Sequence, residues 1–209
     1  MSLFITFEGG EGTGKSFQAN ALYQRLLKSA IPAVLTHEPG GTSLGDSIDH
    51  WLKWKDGDIS PLAELFLFSA SRSQLVDRLI KPSLEAGKTV ICDRYADSSI
   101  AYQGYGRGLD LKVIKAVNNT ATTGLTPDLT LLLDIPAAEG LGRKSAVSRD
   151  RFEKEDINFH QKVRDGYLKL AADGPERWLV IDALQNREKV AEIIWGKVET
   201  MLSQLGVRG

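Results

Sequence analysis

Five short apolar runs recur along the chain: Leu3 to Phe7, Ala33 to Thr36, Thr89 to Cys92, Leu129 to Leu133 and Trp178 to Ile181. Runs of this length, rich in β-branched and aromatic residues, read as strands buried on both faces. Each is preceded or followed by a segment with helical periodicity. Ala19, Leu22, Leu26 and Leu27 predict a helix from about Lys15 to Ser29. The longest helix is expected from about Pro61 to Ala86, with Pro61 in its first turn, Gly87 as its stop and a kink at Pro82. Strands alternating with helices in this way imply an α/β architecture of three layers, with five parallel strands flanked by helices. Residues 140–156 break the pattern. They are polar, carry arginines and lie between a strand and a helix, so a mobile flap is expected there.

Length and composition narrow the picture further. A chain of 209 residues suits one domain, here taken as 1–209, and can bury a core without metal or disulfide staples. The 26 basic residues offset 27 acidic ones, so no overall field draws the chain to nucleic acid or to a membrane surface, and an anion must be bound locally. Cys92 is the single cysteine, which excludes an intrachain disulfide, and no CxxC or paired-histidine spacing suggests a metal cage. The first residues are apolar without a basic leader and meet Gly9 too early for a signal peptide or a membrane span, which points to the cytoplasm.

The local anion site is legible. Gly9, Gly10, Glu11, Gly12, Thr13, Gly14, Lys15 and Ser16 satisfy G-x-x-x-x-G-K-[ST], between a predicted strand and a predicted helix. Such a loop turns consecutive backbone N–H groups toward phosphate oxygens, and the helix N-terminus adds partial positive charge. Lys15 is expected on the β- and γ-phosphates of ATP, with Ser16 on Mg²⁺. The architecture is thus expected to be a three-layer P-loop NTPase fold. The N-K-x-D and D-x-x-G strings of a GTPase switch do not occur, which leaves the kinases as the nearer group.

Three further motifs make a resemblance specific: Glu38-Pro39-Gly40-Gly41-Thr42, Phe68-Ser69-Ala70-Ser71-Arg72 and Asp93-Arg94-Tyr95. With Gln103-Gly104 and Ile181-Asp182-Ala183 downstream, they span essentially the whole chain, which resembles the thymidylate kinase family. The resemblance implies transfer of a phosphoryl group from ATP, with Mg²⁺, to dTMP by a homodimer. It places Arg94 on the acceptor phosphate and Asp93 beside the metal. Phe68 would stack on thymine and Arg72 would donate to a base carbonyl. Ser99 and Tyr102 would approach the base edge and the deoxyribose, Glu11 the sugar hydroxyl or a metal-bound water, and Glu38 and Gln103 the same acceptor site. On residues alone, Phe68 and Tyr102 could equally be core packing and the Asp93-Arg94 pair a strand-end ion pair. Another nucleotide or deoxynucleoside kinase, or a catalytically silent ATP-binding module, stands as the alternative.

The family has two lid types, and Gly12 stands where one of them carries a catalytic arginine. Arg143, Lys144, Arg149 and Arg151 fit the other, the bacterial type with arginines in the lid. Arg149 or Arg151 is expected as the catalytic finger and Arg143 beside adenine, with Lys144 a solvated surface charge. An arginine grafted at Gly12, with Arg149 and Arg151 neutralised, is expected to move the finger into the loop. His37 departs from the arginine common before the Glu38-Pro39 motif. His50 and His160 are read as surface residues, and Trp51, Trp54, Trp178 and Trp195 as core or subunit contacts.

Overall fold

A computed structural model describes residues 2–54, 58–143 and 150–206. Its centre is a sheet of five parallel strands in the order β2-β3-β1-β4-β5, where β1 is Phe4–Glu8, β2 Ala33–His37, β3 Thr89–Asp93, β4 Leu129–Asp134 and β5 Trp178–Asp182. All five strands run on by one residue past the apolar stretch that marks them. Those added residues are Glu8, His37, Asp93, Asp134 and Asp182. Polar side chains therefore collect at the carboxyl edge of the sheet. The connection from β1 leaves toward β2 and that from β4 leaves toward β5, so the chain reverses beside β1, where open α/β sheets form their ligand crevice.

Helices cover both faces. On one, α1 (Lys15–Lys28) and α9 (Arg187–Gln204) pack Ala19, Leu22, Leu26, Val190, Ile194 and Val198 onto Ile5, Phe7 and Leu131. Leu27, expected on that apolar stripe, is instead 43% exposed, because it lies one position beyond Leu26 and turns off the buried face. The other face is covered by α3 (Pro61–Leu75), by α6 (Leu111–Thr122) and by α8 (Ile157–Asp173).

The predicted long helix is continuous but not uniform. Ser60 caps α3 by accepting from Ala63 N–H, a π-helical turn occupies Val76–Ile80, and α4 (Lys81–Glu85) completes it. The widened turn contains Arg78, the residue whose carbonyl the Pro82 ring would crowd in a regular helix. A second π-helical turn, Ile100–Gly106, follows the short α5 (Ala96–Ser99).

Of the expected flap, residues 140–143 and 150–156 are described. Gly140 belongs to α7 (Ala137–Gly142) and is buried, and Phe152 and Glu153 are buried against the body. Phe152 accounts for this: its ring enters an aromatic cluster with Tyr102, Phe159 and Phe68. Lys144 and Arg149 lie outside the described residues. His160 is also buried rather than on the surface, since helical spacing puts it beside Phe159 on the packed side of α8. Among the tryptophans, Trp178 is core, whereas Trp51 and Trp54 of α2 (Ser43–Trp54) are exposed.

Candidate active site

The phosphate loop joins β1 to α1 across the crevice. Gly14 precedes α1 with no side-chain cap, so the first N–H groups of the helix point free toward the loop. Lys15 folds back and donates to Gly10 O at 2.6 Å and to Thr13 Oγ1 at 3.3 Å. Burial, and after it the Arg94 guanidinium, lowers its ammonium to about 8, against the opposing pull of Glu11, Asp93 and Glu8. At the head of α1, Ser16 Oγ donates to Asp93 Oδ2 at 2.5 Å. Among the described residues, Asp93 Oδ1 is buried without a hydrogen-bond partner. One hydroxyl and one carboxylate with an unsatisfied oxygen match the sparse donor set that Mg²⁺ takes from a protein when nucleotide phosphates and waters complete its shell.

Arg94 stands at the end of β3 in the left-handed region, with φ 71°. Its side chain donates to Gly9 O at 3.1 Å, to Tyr167 Oη at 3.4 Å and to Glu11 Oε1 at 2.8 Å, and lies over the Tyr102 ring at 5.0 Å. Tyr102 Oη donates to the same Glu11 oxygen at 2.6 Å. Glu11 therefore ties the phosphate loop to Arg94 and Tyr102, which answers why a carboxylate sits in a loop built for anions.

Away from the loop the crevice continues between α3 and the turn after β3. Phe68 is partly buried, with its ring centroid 5.7 Å from that of Phe152. Glu38, Ser99, Tyr102 and Gln103 also reach the wall, and the whole cleft encloses about 1300 Å³. Arg72 does not reach it. Its guanidinium, 1% exposed, donates to Glu38 Oε2, Ser99 Oγ, Asn118 Oδ1 and Tyr95 O at 2.7 to 3.2 Å. A buried guanidinium must fill its donors, and these acceptors have done so; in this structure Arg72 braces Glu38 and Ser99 from behind rather than offering itself to a base. Burial raises the Glu38 carboxyl above its ordinary value while Arg72 pulls it down, and Glu38 Oε1 has no hydrogen-bond partner among the described residues.

The lid residues divide. Arg143, at the end of α7, donates to Ala183 O and lies 3.5 Å from Gly12 O, at the donor end of the cleft. Arg151 points elsewhere: it pairs with buried Glu64 at 2.6 Å and donates to Leu52 O at 3.0 Å. The finger role expected of it is not supported by this arrangement, because Glu64 is a buried carboxylate that Arg107 and Arg151 neutralise while Gln103 donates a hydrogen bond to it. An arginine grafted at Gly12 is also corrected: with φ 68°, a Cβ there would stand 2.0 Å from Gly140 O.

Several wall residues had gone unread in the sequence. Lys53 and Phe152 face the acceptor end, and Gln185, Asn186 and Arg187 the donor end. Glu8, Ser98 and Tyr167 lie directly behind Arg94. A signal for Glu8 existed, since a carboxylate ending an otherwise apolar central strand requires partners.

A phosphate loop opening into a cleft whose far half carries the half-buried Arg94 and an aromatic wall defines an ATP-dependent nucleoside-monophosphate kinase. More narrowly, the chain belongs to the thymidylate kinase family, whose model, described as thymidylate kinase, matches residues 7–194. The thymidylate kinase of Dehalococcoides mccartyi is 55% identical over 97% of this chain and 98% of the relative. That of a Roseiflexus species is 48% identical over 98% and 97%. The crystal structure of thymidylate kinase from Ehrlichia chaffeensis superimposes with a TM-score of 0.76 at 36% identity, covering 94% of this chain and 98% of that one.

Proposed function

We propose that ATP and dTMP meet end to end in this cleft, the ATP phosphates on the loop from Gly9 to Ser16 and the dTMP phosphate at Arg94, and that the terminal phosphoryl group passes between them. The observation that carries this reading is that Lys15, Ser16, Asp93, Glu11 and Arg94 all line one cleft that also contains Phe68. The acceptor arrives ready to react: the second pKa of a phosphate monoester is about 6, so its attacking oxygen is mostly ionised at neutral pH and no general base is needed. The work left is alignment and charge stabilisation. Lys15 and the amides of the loop hold the donor phosphates. Arg94 presents a fork of donors to the acceptor phosphate, matching its geometry better than a lysine would. Mg²⁺, held by Ser16 and Asp93, would neutralise charge on the donor phosphates.

Phe68, backed by Phe152, offers a ring for the thymine base, and Glu38, Ser99, Gln103 and Tyr102 surround the remaining space. Tyr102, fixed by Glu11, is the residue that would crowd a 2′-hydroxyl and favour the deoxy sugar. With Arg151 engaged by Glu64, the finger role falls to Arg149, and Arg143 belongs beside adenine. The reading keeps the homodimer and the cytoplasmic location expected from the sequence. No helix among the described residues is long and apolar enough to cross a membrane.

Arg94→Ala tests the core of this assignment in an assay of ADP release with dTMP and other monophosphates as acceptors. The expected loss in kcat/KM for dTMP is about 100-fold or more, as for removal of a preorganised charge-stabilising donor. Turnover and dTMP affinity near those of the parent would refute it.

A further inference from the structure

Behind Arg94 lies a carboxylate that the transfer itself does not use. Glu8 ends the central strand β1 and is fully buried. Its Oε1 accepts the Tyr95 N–H at 2.8 Å. Its Oε2 accepts from Ser98 Oγ at 2.6 Å and from Tyr167 Oη at 2.8 Å, and those two hydroxyls are 2.9 Å apart. Tyr167 Oη in turn accepts from Arg94 at 3.4 Å. Each hydroxyl has one proton, so when both protons go to Glu8, the lone pairs of Tyr167 are left to face Arg94.

The backbone is held from the same strand. Arg94 N–H donates to Phe7 O at 2.9 Å, and the next amide, that of Tyr95, is taken by Glu8. A left-handed φ at a residue other than glycine persists only where its surroundings over-determine it. Here the peptides on both sides of Arg94 are anchored to consecutive residues of β1, and its side chain leans on a tyrosine anchored to the second of them.

We propose that Glu8 is a positioning residue for the acceptor phosphate: as a carboxylate it holds the Arg94–Tyr95 peptide and the Tyr167 hydroxyl, and through them aims the Arg94 guanidinium. This rests on the assignment of Arg94 to the dTMP phosphate. The groups facing Glu8 are Asp97, itself paired with Arg177, then Arg94, Lys15, Cys92 and Tyr167. Burial first, and the Asp97 charge second, push the Glu8 carboxyl up to about 7, against the lowering effects of Ser98, Arg94 and Tyr167. Above that pH Glu8 accepts from both hydroxyls. Below it the carboxyl carries a proton, which on Oε2 reverses one of those two hydrogen bonds and on Oε1 weakens the hold on the Tyr95 N–H.

The test is Glu8→Gln in the full chain, with ATP and dTMP varied separately across pH. The expected result is a loss of roughly ten-fold or more in kcat/KM for dTMP above neutrality, the scale set by losing a partner that orients a binding group. The KM for ATP should change less than about two-fold. The parent should show an acid limb near pH 7 in kcat/KM for dTMP, apart from that of the substrate phosphate near 6, and the variant should lack it. In an Arg94→Ala background the Glu8→Gln change should add less than about two-fold, because the two act as one unit. Additive losses, an unchanged dTMP KM or a retained limb would each overturn the role of Glu8 while leaving that of Arg94 intact. An Arg94→Ala enzyme that still binds and converts dTMP normally would overturn both. Should Glu8→Gln not fold, Tyr167→Phe removes only the hydroxyl between Glu8 and Arg94. It is expected to raise the dTMP KM selectively, and an unchanged KM refutes the proposal.

Discussion

Among single residues, Lys15 illustrates how a binding site is primed by being uncomfortable. Burial, with Arg94 next, lowers its pKa from 10.5 to about 8, so the folded chain binds fewer protons there than the unfolded chain between those pH values. Its contribution to stability is therefore unfavourable below pH 8, where the folded protein must hold the charge buried, and that penalty disappears as pH rises toward 10.5. A polyphosphate beside the ammonium reverses the imbalance and raises the pKa again. ATP binding between about pH 8 and 9 should then take up a proton, and calorimetry in buffers of different ionisation enthalpy should show it as a buffer-dependent binding heat. Lys15→Met should abolish that dependence. Binding heat independent of buffer in the parent would contradict the assignment of Lys15 to the donor phosphates.

At the level of elements, the contact between α7 and the phosphate loop is made by two glycines. A Cβ on Gly140 would stand 2.2 Å from Glu11 O, just as one on Gly12 would meet Gly140 O. The helix that carries Arg143 can thus lie directly on the loop only while both positions lack a side chain. Gly140→Ala should push α7 off the loop, raising the KM for ATP several-fold and costing about 1–3 kcal/mol of stability, as overpacking against backbone does. Chemical denaturation and initial rates at saturating dTMP would measure both, and an unchanged pair would refute the contact. The sequence announced the elements far better than these contacts. Continuous apolar runs set out every strand to within a residue, because they depend on burial alone. The phosphate loop and the Asp93-Arg94 turn were legible because backbone-driven anion binding leaves a local string. The contacts of Arg72 and Arg151 were not legible, since their partners Glu38, Asn118 and Glu64 lie tens of residues away, and no local string reports which acceptor a long side chain finds.

Across the whole molecule, the exposed surface is uneven. Leu44 and Trp51 of α2 and Leu62 and Phe66 of α3 are each between 44% and 57% exposed, on two helices that pack side by side. Apolar side chains concentrated in this way usually mark an interface, and they are the best support for the expected homodimer. Trp51→Glu combined with Phe66→Glu should yield a monomer by sedimentation, with the far-ultraviolet spectrum preserved. A parent chain that sediments as a monomer at micromolar concentration would refute it. Within one protomer, the residues proposed to hold the two nucleotides leave neighbouring strands: the loop of Lys15 leaves β1, Arg94 leaves β3, and Phe7 lies in register with Asp93. On the proposed assignment, the roots of the two anchors are set apart by the spacing of adjacent strands, about 4.8 Å, a length fixed by the hydrogen bonds of the ladder. Substitutions in the surrounding helices can tilt, unseat or loosen either nucleotide, but they have no means of lengthening that ruler without unzipping the ladder between β1 and β3.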